Sequence, residues 1–209
     1  LDSDDVWLPE RLAVSVAEMD RRPQVGLVHS NIIRVDENGR RLGVPERDAN
    51  ILSGRIFEHL YTRRAHISCP TALFRRECVD RVEAFDPELS RLGCEDRDLW
   101  LRIAREYDIH YIPQVLALYR TTSGSMSHQT DRMMRAREYV LKKYDDGSPH
   151  MRRLRREASA QIYMDWAWKV AAAGDKAGAR AWWWRTLTAC PFRWRFVRAS
   201  LVGLARSLR

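Results

Sequence analysis

The stretch Glu95–Arg120, EDRDLWLRIAREYDIHYIPQVLALYR, decides how this chain is read. Its first half sets Leu99, Trp100, Ile103 and Ala104 on one side of a 3.6-residue period behind an acidic start. That pattern predicts a helix over 95–106. Its second half, DIHYIP then VLALYR, predicts two short strands on either side of Pro113. A helix feeding strands is the unit of an α/β domain, and the same alternation runs upstream. Val25–Val35, VGLVHSNIIRV, is rich in β-branched residues and predicts a strand. Asn38-Gly39 follows as a turn, with Arg40–Val44 returning as a hairpin partner. Val6–Asp20 predicts a helix with Leu8, Leu12, Val16 and Met19 facing inward and Pro9 near its start. Ile51–Tyr61 predicts a short helix with Ile56, Phe57 and Leu60 on one side. HISCPTALFRR, from His66 to Arg76, predicts a strand whose Pro70 demands an edge or irregular position.

Charge divides the chain in two. The whole carries 36 Lys and Arg against 28 Asp and Glu, a net charge of +8. Residues 1–127 hold 18 basic and 21 acidic side chains, whereas residues 128–209 hold 18 and 7. The Gly- and Ser-bearing stretch Thr121–His128, TTSGSMSH, is the expected linker. The acidic opening LDSDDVWLPE does not match the basic start of a signal peptide. No apolar run is long enough for a transmembrane helix. The four cysteines lack zinc-like spacing, a disulfide framework is not expected, and the six histidines form no HExxH pattern. No zinc finger, RNP-like or helix-turn-helix signature accompanies the positive charge, so nucleic acid is not the expected partner.

Residues 128–209 read as helical and hold six of the eight tryptophans. Ile162, Trp166, Val170 and Ala173 form one stripe. Gly174 and Asp175 read as a C-cap and the next N-cap. A second helix runs to about Ala189, before Pro191, and Phe192–Arg209 predicts a third. The pair through Pro191 is similar to one tetratricopeptide-like unit, too few to make an array. Trp166 and part of Trp182–Trp184 are expected in the core. The last helix joins Val197, Leu201, Leu204 and Leu208 to Arg193, Arg195, Arg198, Arg206 and Arg209. That composition suits either a plain scaffold or a helix lying on an anionic membrane surface.

Three short constellations could carry chemistry. Asp2-Ser3-Asp4-Asp5 packs carboxylates that repel unless solvated or neutralised, and a hard divalent cation would neutralise them. Glu95-Asp96 stands at a loop-to-helix junction, where a carboxylate could act as general base on a hydroxyl. Tyr119-Arg120 ends a strand, where a cation could meet phosphate. Each has a plainer reading: helix capping for the acidic pairs, and chance for the dipeptide.

Taken in order, LDSDDVWLPERL, VGLVHSNIIRVDENGRRLG, ISCPTALFRRECVDRVEAFDPEL, GCEDRDLWLRIA and YIPQVLALYR resemble the family-2 glycosyltransferases of the GT-A fold. The resemblance runs from Leu1 to about Ser127. It implies an α/β, Rossmann-like GT-A domain over 1–127, entered at its DxD motif, with a basic α-helical extension over 128–209. The N-terminal nucleotide-binding half of such a domain would be missing, which predicts an inactive polypeptide with exposed sheet edges. The resemblance implies Asp4 and Asp2, with Asp5 as an alternative ligand, holding Mg²⁺ or Mn²⁺ on the diphosphate of a nucleotide-sugar donor. It implies Asp96 as the base on the acceptor hydroxyl, Glu95 as its neighbour, and Arg120 near the diphosphate. One base and no enzyme nucleophile imply inversion. The absence of a QxxRW motif implies addition of a single sugar. His128 lies too far past Tyr119-Arg120 for the family's usual histidine. The acceptor would be a glycan or a lipid-linked molecule, which places the protein in the cytoplasm or peripherally at the inner face of the cell membrane. The competing reading is a non-catalytic helical module on a degenerate transferase. On the transferase reading, loops 43–54 and 66–71 would decide acceptor choice.

Overall fold

The computed structural model describes residues 2–43, 52–122 and 130–207. Most of the expected linker, His128, and Leu208 and Arg209 of the last stripe lie outside the described residues, as does most of loop 43–54. The chain divides into two compact units: residues 1–60 with 64–136, and residues 61–63 with 137–209.

The first unit is mixed α/β around a four-stranded sheet in the order β1-β4-β2-β3. Its strands are β1 (Val6–Trp7), β2 (Val25–Val35), β3 (Leu73–Phe74) and β4 (Asp108–Arg120). β2 and β4 pair in parallel at the centre, and the two short strands flank them antiparallel. β2 is buried along most of its length, His29 and Ser30 included, and β4 buries Ile109, Ile112, Leu116 and Ala117. The helices are α1 (Arg11–Asp20), α2 (Phe57–Tyr61), α3 (Arg76–Val82), α4 (Pro87–Leu92) and α5 (Glu95–Glu106). α5 matches its expected bounds, and Leu99, Trp100, Ile103 and Ala104 are buried as expected.

Other expectations are corrected. The two strands expected around Pro113 are one 13-residue strand. Its register against β2 jumps from Ser30↔Ile112 to Asn31↔Val115, so Pro113 and Gln114 sit in an irregularity that needs no amide donor. The strand expected over 66–76 is a 3₁₀ turn at Cys69–Thr71, containing Pro70, followed by β3. The helix expected from Val6 starts at Arg11, because Val6 and Trp7 pair with Leu118 and Ala117. The hairpin around Asn38-Gly39 shrinks to a single bridge, Val35↔Arg41. Asp36 Oδ1 accepts from the amides of Asn38 and Arg40, and Gly39 takes φ 79°, which its lack of a Cβ permits.

The face of α1 is also corrected. Arg11, Ser15 and Met19 are buried, whereas Leu12 and Val16 are 48% and 46% exposed. The cause is Arg11. Its guanidinium donates to the Pro70 and Ala72 carbonyls at 3.2 and 2.8 Å and stacks 4.0 Å from the Trp7 ring centroid. Those bonds turn the helix by one position relative to its apolar stripe.

The second unit contains α7 (Pro149–Ala172), α8 (Lys176–Ala189) and α9 (Trp194–Ser207); α6 (Thr130–Lys143) spans the division. Tyr61 belongs here, donating to the Leu141 carbonyl at 2.8 Å. Gly174, at φ 87°, ends α7, and Asp175 caps α8 by accepting from the Gly178 amide at 2.8 Å, as expected. Trp183 is fully buried among Ala167, Ala179, Val170 and Leu204, with Trp168 edge-on at 4.8 Å. Trp166 is buried too, and Trp184 points outward. Gly203 lets α9 cross the Trp183 ring, since a Cβ there would fall inside the indole. Gly203→Val is therefore expected to cost about 1–3 kcal/mol or more by overpacking. Urea denaturation followed by tryptophan fluorescence measures it.

Candidate functional site

The acidic opening, the end of β4 and the head of α5 supply the candidate residues. β1 runs antiparallel to the end of β4, which brings Asp4 and Asp5 beside Arg120. Asp5 is buried, and its Oδ1 accepts from the Arg120 amide at 2.9 Å. Its Oδ2 is buried with no hydrogen-bond partner. Burial pushes the Asp5 carboxyl up; the Arg120 amide opposes this, and Asp4 and Asp2 add to it. Asp2 and Asp4 are exposed. The Arg120 side chain is heavily engaged by the backbone. It donates to the carbonyls of Asp4 (2.8 Å), Asp36 (2.9 Å) and Glu37 (3.0 Å), tying the acidic segment to the turn after β2.

At the other end of the site, Gly93 and Cys94 both take positive φ, 98° and 66°. For a cysteine this left-handed conformation is uncommon. The two residues turn the chain sharply into α5 and set Glu95 and Asp96 in its first turn. Asp96 Oδ1 accepts from the Arg97 amide at 2.6 Å. Although Asp96 keeps some solvent exposure, the protein packed around its carboxyl pushes it up. The Arg97 amide opposes the shift, and Glu95 and Asp2 reinforce it. Asp2 and Asp96 are thus within electrostatic reach of each other.

Cys69 is within electrostatic reach of the same carboxylates. Its thiol is pushed up to about 12 by burial first, then by Asp96, Asp2 and Glu95. The 3₁₀ turn that carries it is pinned by Arg11 and by Trp7, whose Nε1 donates to the Pro70 carbonyl at 2.8 Å. Asp2, Cys69, Glu95 and Asp96 therefore share one neighbourhood, built from three separated segments. Sequence reading singled out the two acidic segments. It missed Cys69, Trp7 and Arg11, since a cysteine without a partner spacing and an arginine on a helix carry no signal of their own.

A family model described as "Glycosyltransferase like family 2" matches residues 1–140. The chain belongs to this family. The matched region includes the sheet, α5 and every candidate site residue. Among curated relatives, the Erwinia amylovora protein named amylovoran biosynthesis glycosyltransferase AmsE is 29% identical over 129 residues, covering 61% of this chain and 46% of its own length. An uncharacterized glycosyltransferase of Methanocaldococcus jannaschii is 28% identical over 125 residues, covering 57% of this chain and 40% of its own. The chain spans less than half the length of these two relatives. The mixed α/β architecture of the first unit is consistent with a GT-A-like glycosyltransferase domain.

A family-2 glycosyltransferase of GT-A type implies a divalent cation. Among the described residues, no three His, Cys, Asp or Glu side chains gather in metal-binding geometry. Mg²⁺ characteristically takes one or two carboxylates and fills its octahedron with water and phosphate oxygens. The orphaned Asp5 Oδ2 and the exposed carboxylates of Asp4 and Asp2 are oxygen donors of the chemical type that such an ion takes.

Proposed function

We propose that the protein containing this chain is a metal-dependent, inverting glycosyltransferase. It moves one sugar from a nucleotide-diphosphate sugar to a hydroxyl of a glycan or lipid-linked acceptor in polysaccharide synthesis. The observation that carries this reading is the family match over residues 1–140, within which β1 and the end of β4 hold Asp4 and Asp5 beside Arg120. The family match and the amylovoran relative support the reaction class.

In this mechanism Asp96 accepts the proton of the acceptor hydroxyl. The hydroxyl oxygen bonds to the anomeric carbon from the face opposite the diphosphate, and the bond to the diphosphate oxygen breaks. A carboxyl pushed above its ordinary range is the stronger base of its type, provided it remains ionised at the working pH. Glu95, next to it, orients the acceptor or Asp96 itself. Asp4, with Asp2 or Asp5, would hold Mg²⁺ or Mn²⁺, whose charge stabilises the leaving diphosphate. Arg120 acts as a positioning residue, holding the Asp4 backbone against the 36–37 turn. No nucleophile on the enzyme is invoked, so the product is inverted. The proposed site of action is the cytoplasm or the inner face of the cell membrane.

The assay is release of nucleoside diphosphate across a panel of nucleotide-sugars. Chelation by EDTA is expected to stop release, and Mg²⁺ or Mn²⁺ to restore it. Asp4→Asn removes several kcal/mol of charge stabilisation, a loss on the order of 10²-fold or more in rate. Release that is indifferent to EDTA and to Asp4→Asn would overturn the metal assignment. The 209 residues by themselves are proposed to be inactive, and sugar transfer by the isolated chain would contradict that.

A further inference from the structure

α9 is built inside out. Its buried residues are Phe196 and the small Ser200, Gly203 and Ser207, which lie against the second unit's core around Trp183. At 3.6 residues per turn, Trp194, Arg198 and Leu201 fall on the opposite side. Trp194 is 71% exposed, Leu201 54% and Val202 40%, and Phe192, just before the helix, is 97% exposed. The expected stripe is thereby corrected: Leu204 packs toward Trp183, and Phe192, Trp194, Leu201 and Val202 form the outward apolar surface. Exposed apolar side chains gathered on a helix already seated by its other side mark a second contact.

The cations are also sorted. Arg193 and Arg195 are tied to the buried Glu157, each at 3.0 Å, and their charge is largely spent inside the unit. Arg198 is exposed and stands on the outward side of the helix beside Trp194 and Leu201. Residues 128–209 carry 18 basic against 7 acidic side chains, so the segment that bears this face has a net positive charge. Exposed aromatics next to arginine, on a unit with excess positive charge, complement an anionic bilayer surface, where aromatic rings lodge at headgroup depth.

We propose that the outward face of α9, centred on Trp194, Leu201 and Arg198, lies on anionic phospholipid and seats the protein peripherally on the membrane. Among the described residues no helix is long and apolar enough to cross a membrane, and this mode needs none. The proposal stands on the second unit alone and does not depend on the transfer reaction.

Co-sedimentation of the whole 209-residue chain with vesicles tests it. Phosphatidylglycerol–phosphatidylcholine vesicles are compared with pure phosphatidylcholine, at low and high salt. The chain is expected to pellet with the anionic vesicles and to be released by salt. Trp194→Ala with Leu201→Glu, both at exposed positions, is expected to abolish pelleting while circular dichroism stays unchanged. Arg198→Gln is expected to weaken it roughly fivefold, the equivalent of about 1 kcal/mol for one basic residue at an anionic surface. Leu12→Glu, an exposed apolar site on α1, is expected to change nothing. Absence of pelleting overturns the proposal, and so does equal pelleting by the Trp194/Leu201 variant. A salt-resistant dimer disrupted by that variant, without vesicle binding, would overturn it in favour of a second copy of the chain.

Discussion

Asp96→Asn is expected to lower the rate of sugar transfer by about 10²–10⁴-fold, the range for loss of a positioned general base, while leaving the fold at least as stable. The two halves of that result have one cause. Burial, reinforced by Glu95 and Asp2, holds the Asp96 carboxyl above its ordinary range. Above its ordinary pKa the unfolded chain is ionised there, while the folded chain retains the proton until a higher pH. The folded state therefore loses stability as pH rises from the ordinary carboxylate range through the folded value. Asparagine keeps the oxygen that accepts from the Arg97 amide and removes the charge, so the penalty disappears. Substitutions that relieve a strained functional site commonly gain about 0.5–2 kcal/mol. Thermal unfolding of the 209-residue chain at neutral pH measures this half, and nucleoside diphosphate release by the protein containing it measures the other. In the wild type, transfer should decline on the acid side at a pH above the ordinary aspartate value, as Asp96 takes up its proton.

Arg102→Met is expected to destabilise the chain by about 3–5 kcal/mol, the cost of breaking a buried ion pair from one side. Asp98 is fully buried and sits 3.0 Å from the Arg102 guanidinium. The same guanidinium donates to the carbonyls of Val82, Glu83 and Ala84 at 2.5, 2.6 and 2.8 Å, closing the end of α3. Methionine removes the Arg102 charge from beside the buried Asp98 and leaves these carbonyls short of a donor. Asp98→Leu combined with Arg102→Met should recover part of the loss, because the buried charge goes with its partner. Urea midpoints of the two variants and the wild type give the comparison. Since Asp98 lies in the same helical turn as Asp96, the single variant is expected to disturb the site as well.

Legibility in the sequence followed the range of the interaction involved. α5 could be delimited from local signals alone: acidic residues in the first turn, a clean apolar period, and a change of pattern at Tyr107. The strand Val25–Val35 and the caps at Gly174 and Asp175 were local in the same way. Periodicity fails where a long-range bond outbids it. It shows that α1 and α9 each have an apolar stripe, but not which side faces in. At α1 the Arg11 bonds to Pro70 and Ala72 decide, and at α9 the fit of Gly203 to Trp183 decides. Pro113 reads as a break, yet an irregular register absorbs it within one strand. The acidic segments of the site were visible singly. Their electrostatic proximity to each other and to Cys69 depends on sheet order and on the Trp7–Arg11 clamp, which no local pattern encodes.

The claim on which the account turns is that the acidic opening and the head of α5 form one site. Carboxyl-carbon NMR titration of Asp96 in the 209-residue chain tests it without knowledge of donor or acceptor. The account predicts that Asp96 titrates above the ordinary aspartate value and moves down when Asp2→Asn removes the neighbouring charge. An Asp96 that titrates in the ordinary range, unmoved by Asp2→Asn, would contradict it.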